Sequence, residues 1–228
     1  MSKNKKKDTS KGKKNILLKL WDYIWKSDSL GSYILNFLLA FVLIKYIFFP
    51  GIGFLLDTNY PIVAVVSGSM EHKIVNGQIC SVQFQDSRNQ NLDYDSWWEY
   101  CGSYYQSNYG LSKENFSNFK YSNGLNIGDV MILRGKDPSN IKPGEILVFI
   151  PEQREFYLNK GPVIHRVMKV EKNETGGYIF QTKGDHNPMS FEGFEREIPE
   201  EDILGVAEVR IPYLGYPKIL LNYLISRL

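Results

Sequence analysis

The sequence predicts a mainly β body that follows one N-terminal transmembrane helix and carries an insertion rich in Tyr, Asn and Ser. Three features favour this class: a long apolar segment at 30–56, several short apolar runs separated by turn residues between 57 and 216, and a stretch at 86–126 that breaks their alternation. Short strands between turns favour a folded-over sandwich or barrel-like body over alternating strands and helices. We therefore expect one β domain beyond the apolar segment.

The apolar segment starts at about Leu30 and is interrupted by Asn36 and Lys45. It reaches the ~20 residues that a helix needs to cross hydrocarbon, and the glycines and proline of 50–53 are expected to break the helix near its end. A cleaved signal peptide and a buried core helix are the alternatives. The run is longer than a usual signal-peptide core and shows little polar face, so we expect an uncleaved membrane anchor.

Charge is distributed unevenly along the chain. The first 31 residues hold nine lysines against three aspartates, and the remainder holds 18 basic and 22 acidic side chains. The lysines predict a cytoplasmic N-terminus, a single pass through the cell membrane and a body on the outer face. A mildly acidic body argues against nucleic acid as the main partner, because phosphate binding needs a basic face on the folded part.

The two ends of the chain are expected to lie near the membrane. Residues 1–29 form the predicted cytoplasmic part, with a disordered lysine-rich tail at 1–14 that contacts anionic lipid and a short amphipathic helix at 15–26 on the membrane surface. The segment 217–228 is too broken to span a bilayer and is expected to pack at the membrane surface.

The body is expected to consist of short strands, which alternation and flanking turn residues indicate at 63–66, 78–84, 129–133, 145–150, 163–170 and 178–182. Within the insertion, Asp93 or Asp95 is expected to cap a short helix. The aromatic residues there either cover the core or dip into lipid. A disulfide between Cys80 and Cys101 is left open, because two thiols do not define a disulfide scaffold.

A candidate nucleophile lies where the first apolar run ends, in Ser67-Gly68-Ser69-Met70. Glycine tolerates backbone angles that other residues avoid, so the turn can present the Ser69 hydroxyl outward and aim an amide at a developing oxyanion. Most Ser-Gly-Ser turns are plain loops. Catalysis would need a base beside Ser69, since a serine hydroxyl is a poor nucleophile at neutral pH.

Three histidines are candidates for that base. His72 is too near Ser69 in sequence to reach back and is expected at the surface, and His186 follows Asp185 in a turn. His165 lies within an apolar strand, where a histidine is either a satisfied core residue or a base in a dry site. Lys169 is the alternative base, because strand alternation puts it on the same face as His165.

Three motifs together resemble type I signal peptidase of the archaeal and endoplasmic-reticulum kind. They are Ser67-Gly68-Ser69-Met70-Glu71, Val163-Ile164-His165-Arg166-Val167 and Thr182-Lys183-Gly184-Asp185-His186-Asn187, in that order after the apolar segment. The resemblance implies a signal-peptidase-like β fold, with Ser69 as nucleophile, His165 as base and Asp185 in the acidic motif. It also implies an oxyanion hole formed by the Ser67 side chain and the Ser69 amide.

The sequence departs from the family pattern at two places. His72 stands where the family usually has proline, and Phe191 stands where a second aspartate is usual. The acid that orients His165 could therefore be Asp185, Glu192 or Glu195, and we rank them in that order.

The resemblance implies a membrane-anchored serine endopeptidase that removes signal peptides from secreted preproteins by acyl transfer, without a metal or other cofactor. The implied partners are preprotein signal peptides and membrane lipid, and the secretion translocon is a further candidate. Two alternatives are a serine/lysine hydrolase of the same broad fold and a non-catalytic anchored β-domain that acts as receptor or scaffold.

Overall fold

A computed structural model describes residues 10–151 and 161–225. The chain divides into two compact units, one ending at Ile52 and the other beginning at Gly53. The tail residues 1–9 and the last residues 226–228 lie outside the described part, so the predictions made for them are not addressed by the structure.

The N-terminal unit is helical. Helix α1 is Ser10–Lys26, α2 is Leu30–Leu43, and a π-helical segment at Ile44–Phe48 joins α2 to helix α3, Phe49–Leu56. Residues 10–14 are therefore helical, which corrects the prediction of disorder for that part of the tail.

The long apolar helix is continuous from Leu30 to Leu56, and its most apolar stretch has a mean hydropathy of 2.1. Among the described residues it is the one helix long and apolar enough to cross a membrane. The predicted break at 50–53 is wrong, since α3 runs through Pro50. Proline cannot donate a backbone hydrogen bond, and the wider π-turn immediately before it accommodates that loss.

A seven-stranded antiparallel sheet forms the body, in the order β1-β6-β11-β7-β8-β9-β10. Its strands are β1 (Ile62–Ala64), β6 (Val130–Arg134), β7 (Ile146–Phe149), β8 (Val163–Lys172), β9 (Tyr178–Lys183), β10 (Ile198–Pro199) and β11 (Ile203–Ile211). Short pairs outside it are β2 (Lys73–Ile74) with β5 (Gln90–Asn91), and β3 (Gln78–Ile79) with β4 (Val82–Gln83). The predicted mainly β body with an N-terminal apolar helix is confirmed.

Two details of the strand prediction are wrong. The stretch 78–84 is a tight hairpin, β3 to β4, because Cys80 between them adopts a left-handed backbone angle with φ of 48°. Strand β11 was not predicted, although it lies between β6 and β7 in the sheet. Gly205 and two register shifts interrupt its alternation, which hides the period-two pattern in the sequence.

The insertion is helical and packs on the body. Helix α4 is Tyr94–Tyr109, whose N-cap Asp93 accepts a hydrogen bond from the Ser96 amide, and α5 is Lys113–Ser117. A buried aromatic cluster lies beneath them, and Trp97, Tyr105 and Phe116 in it are fully buried. These aromatic side chains therefore cover the core and are not available to dip into lipid.

Two further features complete the second unit. Cys80 and Cys101 form a disulfide that ties the β3–β4 hairpin to α4. The last described element is helix α6, Tyr216–Ile225, which begins one residue before the segment 217–228 that is predicted to pack at a membrane surface.

Candidate active site

Ser69 lies in a single 3-10 turn, Gly68–Met70, shortly after β1. Met70 is buried and fixes the turn to the core, while Ser69 is half-buried and Ser67 is exposed. The Glu71 amide closes the turn by donating to the Gly68 carbonyl at 3.0 Å. The two serine hydroxyls thus remain accessible on a turn whose backbone is held in place.

Gly68 is closely packed and does not adopt an unusual backbone angle. Its φ lies outside the left-handed region, and a Cβ there would lie 3.0 Å from the Glu71 carboxylate. That carboxylate is buried and accepts a hydrogen bond from the Ile127 amide at 3.0 Å. The expectation that Gly68 adopts a backbone angle that other residues avoid is therefore wrong. What distinguishes this position is its close packing against Glu71.

The structure brings Ser69 and His165 together from segments 96 residues apart. Nε2 of His165, on β8, lies 2.9 Å from Oγ of Ser69. The imidazole is buried with only 4% of its residue surface exposed. This distance is within the hydrogen-bond reach that a base needs to accept a hydroxyl proton.

Glu195 lies on the other side of the imidazole. Its Oε1 is 2.5 Å from Nδ1 of His165, a close polar approach rather than an aligned hydrogen bond. The second oxygen, Oε2, accepts a hydrogen bond from the Phe191 amide at 2.7 Å, and the Glu195 side chain is fully buried. Serine, histidine and carboxylate are therefore arranged in series, as in a catalytic triad.

Asp185, ranked first from the sequence, has other partners. Arg166 donates to its two oxygens from Nε at 3.0 Å and from Nη2 at 2.6 Å, and Nε2 of His72 lies 3.4 Å from Oδ2. Burial alone would raise the pKa of the Asp185 carboxyl, but the Arg166 guanidinium and His72 hold that pKa well below its usual range. Asp185 is thus an ionised partner of Arg166.

Glu192, ranked second, is exposed and pairs with Arg196 at 2.7 Å. The carboxylate that lies beside His165 is Glu195, the last of the three in the ranking from the sequence. The missing information is three-dimensional, because the segment after Phe191 turns back and the Glu195 amide donates to the Phe191 carbonyl.

His72 is buried, contrary to the predicted surface position. Its ring stacks on Trp97 of the insertion with centroids 3.8 Å apart, and burial lowers its pKa. Lys169 is not beside Ser69 but at the surface, where its ammonium pairs with Glu171 at 2.7 Å. A register shift between Val167 and Lys169 breaks the alternation on which the lysine alternative depended.

Gly184 packs directly against Ser69 and His165, and the segment Lys183–Asp185 around it is called the floor of the site. A Cβ at this position would lie 2.7 Å from the Ser69 carbonyl oxygen and 2.9 Å from Nε2 of His165. The next turn residue but one, His186, donates its amide to the same Ser69 carbonyl at 2.9 Å; burial lowers the pKa of its ring. The Gly184 segment therefore holds the backbone of the candidate nucleophile in place.

Three fully buried polar residues around this floor were not predicted: Tyr105, Arg166 and Lys183. Nζ of Lys183 donates to the Tyr105 hydroxyl and to the Gly184 carbonyl, each at 3.0 Å, and burial lowers the pKa of Lys183 to about 8. Arg166 and Lys183 lie inside the motifs that contain His165 and Asp185, and this position was the sequence signal that could have indicated a role for them. No sequence motif indicated a role for Tyr105.

Within residues 10–151 and 161–225, no group of three or more His, Cys, Asp or Glu side chains is placed to hold a metal ion.

Comparison with known proteins agrees with the motif resemblance. No family model matches the chain. Signal peptidase complex catalytic subunit SEC11C of Homo sapiens is 34% identical over 99 residues, which are 42% of this chain and 49% of that protein.

Two further relatives show the same pattern over 99 residues each. Putative signal peptidase complex catalytic subunit SEC11B of Homo sapiens is 30% identical over 57% of its length, and signal peptidase complex catalytic subunit sec11 of Dictyostelium discoideum is 30% identical over 52%. The chain spans about half the length of the curated relatives it matches. The predicted resemblance to signal peptidases of the endoplasmic-reticulum kind is thus confirmed.

Proposed function

We propose that this chain is a membrane-anchored serine endopeptidase that removes signal peptides from preproteins by acyl transfer. The observation that carries the proposal is the 2.9 Å contact between Ser69 Oγ and His165 Nε2, with Glu195 on the far side of the ring. The relatives, which are named as catalytic subunits of signal peptidase complexes, support the same reaction.

The first half-reaction breaks the peptide bond. Nε2 of His165 accepts the hydroxyl proton as Ser69 Oγ bonds to the substrate carbonyl carbon, and the carbonyl oxygen becomes an oxyanion. When the intermediate collapses, the C–N bond breaks and His165 returns the proton to the leaving amine. The signal peptide is left as an ester on Ser69, and the mature protein departs with a new N-terminus.

The second half-reaction restores the enzyme. Water gives a proton to His165 and adds to the ester carbonyl, after which the Ser69 oxygen leaves and recovers that proton. Glu195 holds the imidazole in the orientation that presents Nε2 to Ser69 and stabilises the imidazolium formed in each step.

The oxyanion is assigned to the Ser67 side chain and the Ser69 amide. Ser67 Oγ lies 3.2 Å from Ser69 Oγ, so the Ser67 hydroxyl borders the point at which the substrate carbonyl would be attacked. Donors that are fixed before the reaction stabilise the developing charge without further reorganisation.

The proposed placement in the cell is supported by the membrane-length apolar helix at 30–56. We assign residues 1–29 to the cytoplasm, 30–56 to the membrane, 57–216 to the catalytic domain outside the cytoplasm and 217–228 to a membrane-proximal segment. The disulfide between Cys80 and Cys101 supports an oxidising compartment for the body. The proposed partners are preprotein signal peptides, membrane lipid and the secretion translocon.

The proposal is tested with the full chain in detergent micelles and a preprotein that carries a signal peptide. We expect wild type to release one mature N-terminus and Ser69→Ala to release none while keeping the wild-type circular dichroism and melting temperature, because one hydroxyl in a turn adds little to packing. Cleavage by Ser69→Ala, or an inactive wild type, would contradict the proposal. Neither the alternative receptor function nor the scaffold function requires the Ser69 hydroxyl.

A further inference from the structure

One face of the insertion helix α4 contacts the segments that carry the candidate site. Trp97, Cys101 and Tyr105 recur every four residues, which places them on the same side of the helix. All three are buried. Trp97 stacks on His72, and Cys101 is bonded to Cys80.

Tyr105 reaches furthest towards the reacting groups. Its hydroxyl accepts a hydrogen bond from Nζ of Lys183 at 3.0 Å and donates one to Oδ1 of Asp185 at 3.3 Å. Nζ of Lys183 also lies 4.5 Å from the centre of the Tyr105 ring. One side chain of the insertion therefore bridges the two charged residues on either side of Gly184.

The bridged segment is the one that supports Ser69 and His165. Gly184 packs so closely on the Ser69 carbonyl and on Nε2 of His165 that a methyl group could not be added. A shift of this segment would therefore move the two reacting side chains relative to each other.

The disulfide holds the same segment from a second point. Cys80 donates its amide to the His186 carbonyl at 3.0 Å, and its sulfur lies 3.5 Å from the Asp185 carbonyl oxygen. Because Cys80 is bonded to Cys101, the helix that carries Tyr105 is fixed next to the segment by a covalent bond. Helix α4 is thus linked to the floor of the site through the Cys80–Cys101 disulfide and through the two buried hydrogen bonds of Tyr105.

We propose that the insertion helix is a positioning element of the enzyme and that Tyr105 is a positioning residue. Its hydroxyl fixes the Lys183–Asp185 segment, and that segment in turn fixes the geometry of Ser69 and His165. Tyr105 does not touch substrate and takes no proton. The expected effect of Tyr105 on the cleavage rate rests on the function proposed above, whereas its expected effect on the position of His165 does not.

The test compares two conservative variants on the same helix in the full chain. Tyr105→Phe removes the bridging hydroxyl. Tyr94→Phe is the matched control, because the Tyr94 hydroxyl donates to the Lys113 carbonyl within the insertion, at 2.6 Å. Each variant loses one hydroxyl. Tyr105→Phe loses the two hydrogen bonds with Lys183 and Asp185, whereas Tyr94→Phe loses one hydrogen bond that lies within the insertion.

We expect Tyr105→Phe to lower kcat for preprotein cleavage by about tenfold while KM stays within about twofold, since small misplacements of reacting groups reduce the rate strongly. Tyr94→Phe should keep the wild-type kcat. Equal kcat values for Tyr105→Phe and wild type would overturn the proposal, as would an equal loss of kcat in both variants.

A second measurement does not depend on cleavage. The imidazole resonances of His165, assigned by their loss in His165→Gln, should shift in Tyr105→Phe and stay unchanged in Tyr94→Phe. If wild type cleaves nothing, the proposed function fails, and these resonances still decide the positioning role. If Tyr105→Phe does not fold, 3-fluorotyrosine at position 105 keeps the ring and alters the hydrogen bonds; unchanged His165 resonances would then overturn the proposal.

Discussion

Arg166 holds Asp185 through two hydrogen bonds, at 3.0 and 2.6 Å, next to the histidine that Asp185 was expected to orient. The two charged side chains neutralise each other in a fully buried position. The His165 ring is therefore left to Glu195, which lies 2.5 Å from Nδ1. Of the three candidate acids, Glu195 is the one that the structure places beside the candidate base.

Glu195→Gln should lower kcat/KM for preprotein cleavage by at least about a hundredfold, because an amide does not stabilise the imidazolium and can favour the imidazole tautomer with the proton on Nε2. Glu192→Gln is the control and should keep the wild-type value, since Glu192 is 80% exposed. Steady-state cleavage of one preprotein measures both. Equal losses in the two variants would remove Glu195 from the triad.

Gly184→Ala should lower kcat at least about tenfold, because the added methyl group would displace Ser69 or the ring of His165. Gly177→Ala is the control, since there the methyl group meets only the Asn173 side chain. Cleavage rates and melting temperatures are compared for both. Normal kcat in a folded Gly184→Ala protein would show that the floor does not set the geometry of the site.

Arg166→Met should lower the free energy of unfolding by about 3–5 kcal/mol, because it leaves the Asp185 carboxylate buried without its partner. Arg196→Met is the surface control, with an expected loss below about 1 kcal/mol. Urea unfolding followed by tryptophan fluorescence measures both. A loss in Arg166→Met no greater than in the control would show that the buried pair adds little to stability.

Lys183 predicts a dependence of stability on pH. Burial lowers its pKa from 10.5 to about 8 in the folded chain, so the unfolded chain binds more protons between these values. The free energy of unfolding should therefore rise by about 3 kcal/mol at most between about pH 8 and about pH 10.5. The rise occurs because the buried ammonium loses its proton in the folded chain, which relieves the penalty for burying a charge.

Lys183→Met should remove that rise, and Lys169→Met should keep it, because Lys169 is exposed and paired with Glu171. Urea unfolding at a series of pH values compares the three proteins. The same rise in Lys183→Met as in wild type would assign the dependence to other groups.

Much of the candidate site could be predicted from the sequence, because the side chains that form it lie in local motifs. Ser69 follows an apolar strand in a Ser-Gly-Ser turn, and His165 lies within a strand whose neighbours are apolar. Their meeting across the fold was implied by the order of the motifs in a recognised family. The mainly β body also followed from local patterns, since strand alternation and turn residues are short-range signals.

The contact of Glu195 with His165 and the contacts of Tyr105 could not be predicted, because each depends on pairing across the fold. Asp185 and Glu195 are both acidic residues after the histidine strand, and only the position of Arg166 separates them. Tyr105 is one of many tyrosines in a segment without alternation, and nothing local indicates that its hydroxyl meets Lys183. The register shift after Val167 is equally invisible in the sequence.

The imidazole of His165 is proposed to activate the Ser69 hydroxyl. Preprotein cleavage by His165→Ala and by Lys169→Ala, each folded as judged by circular dichroism, tests it most directly. We predict that His165→Ala loses at least about a thousandfold in kcat/KM while Lys169→Ala keeps the wild-type value. Cleavage by His165→Ala at near the wild-type rate would contradict the account.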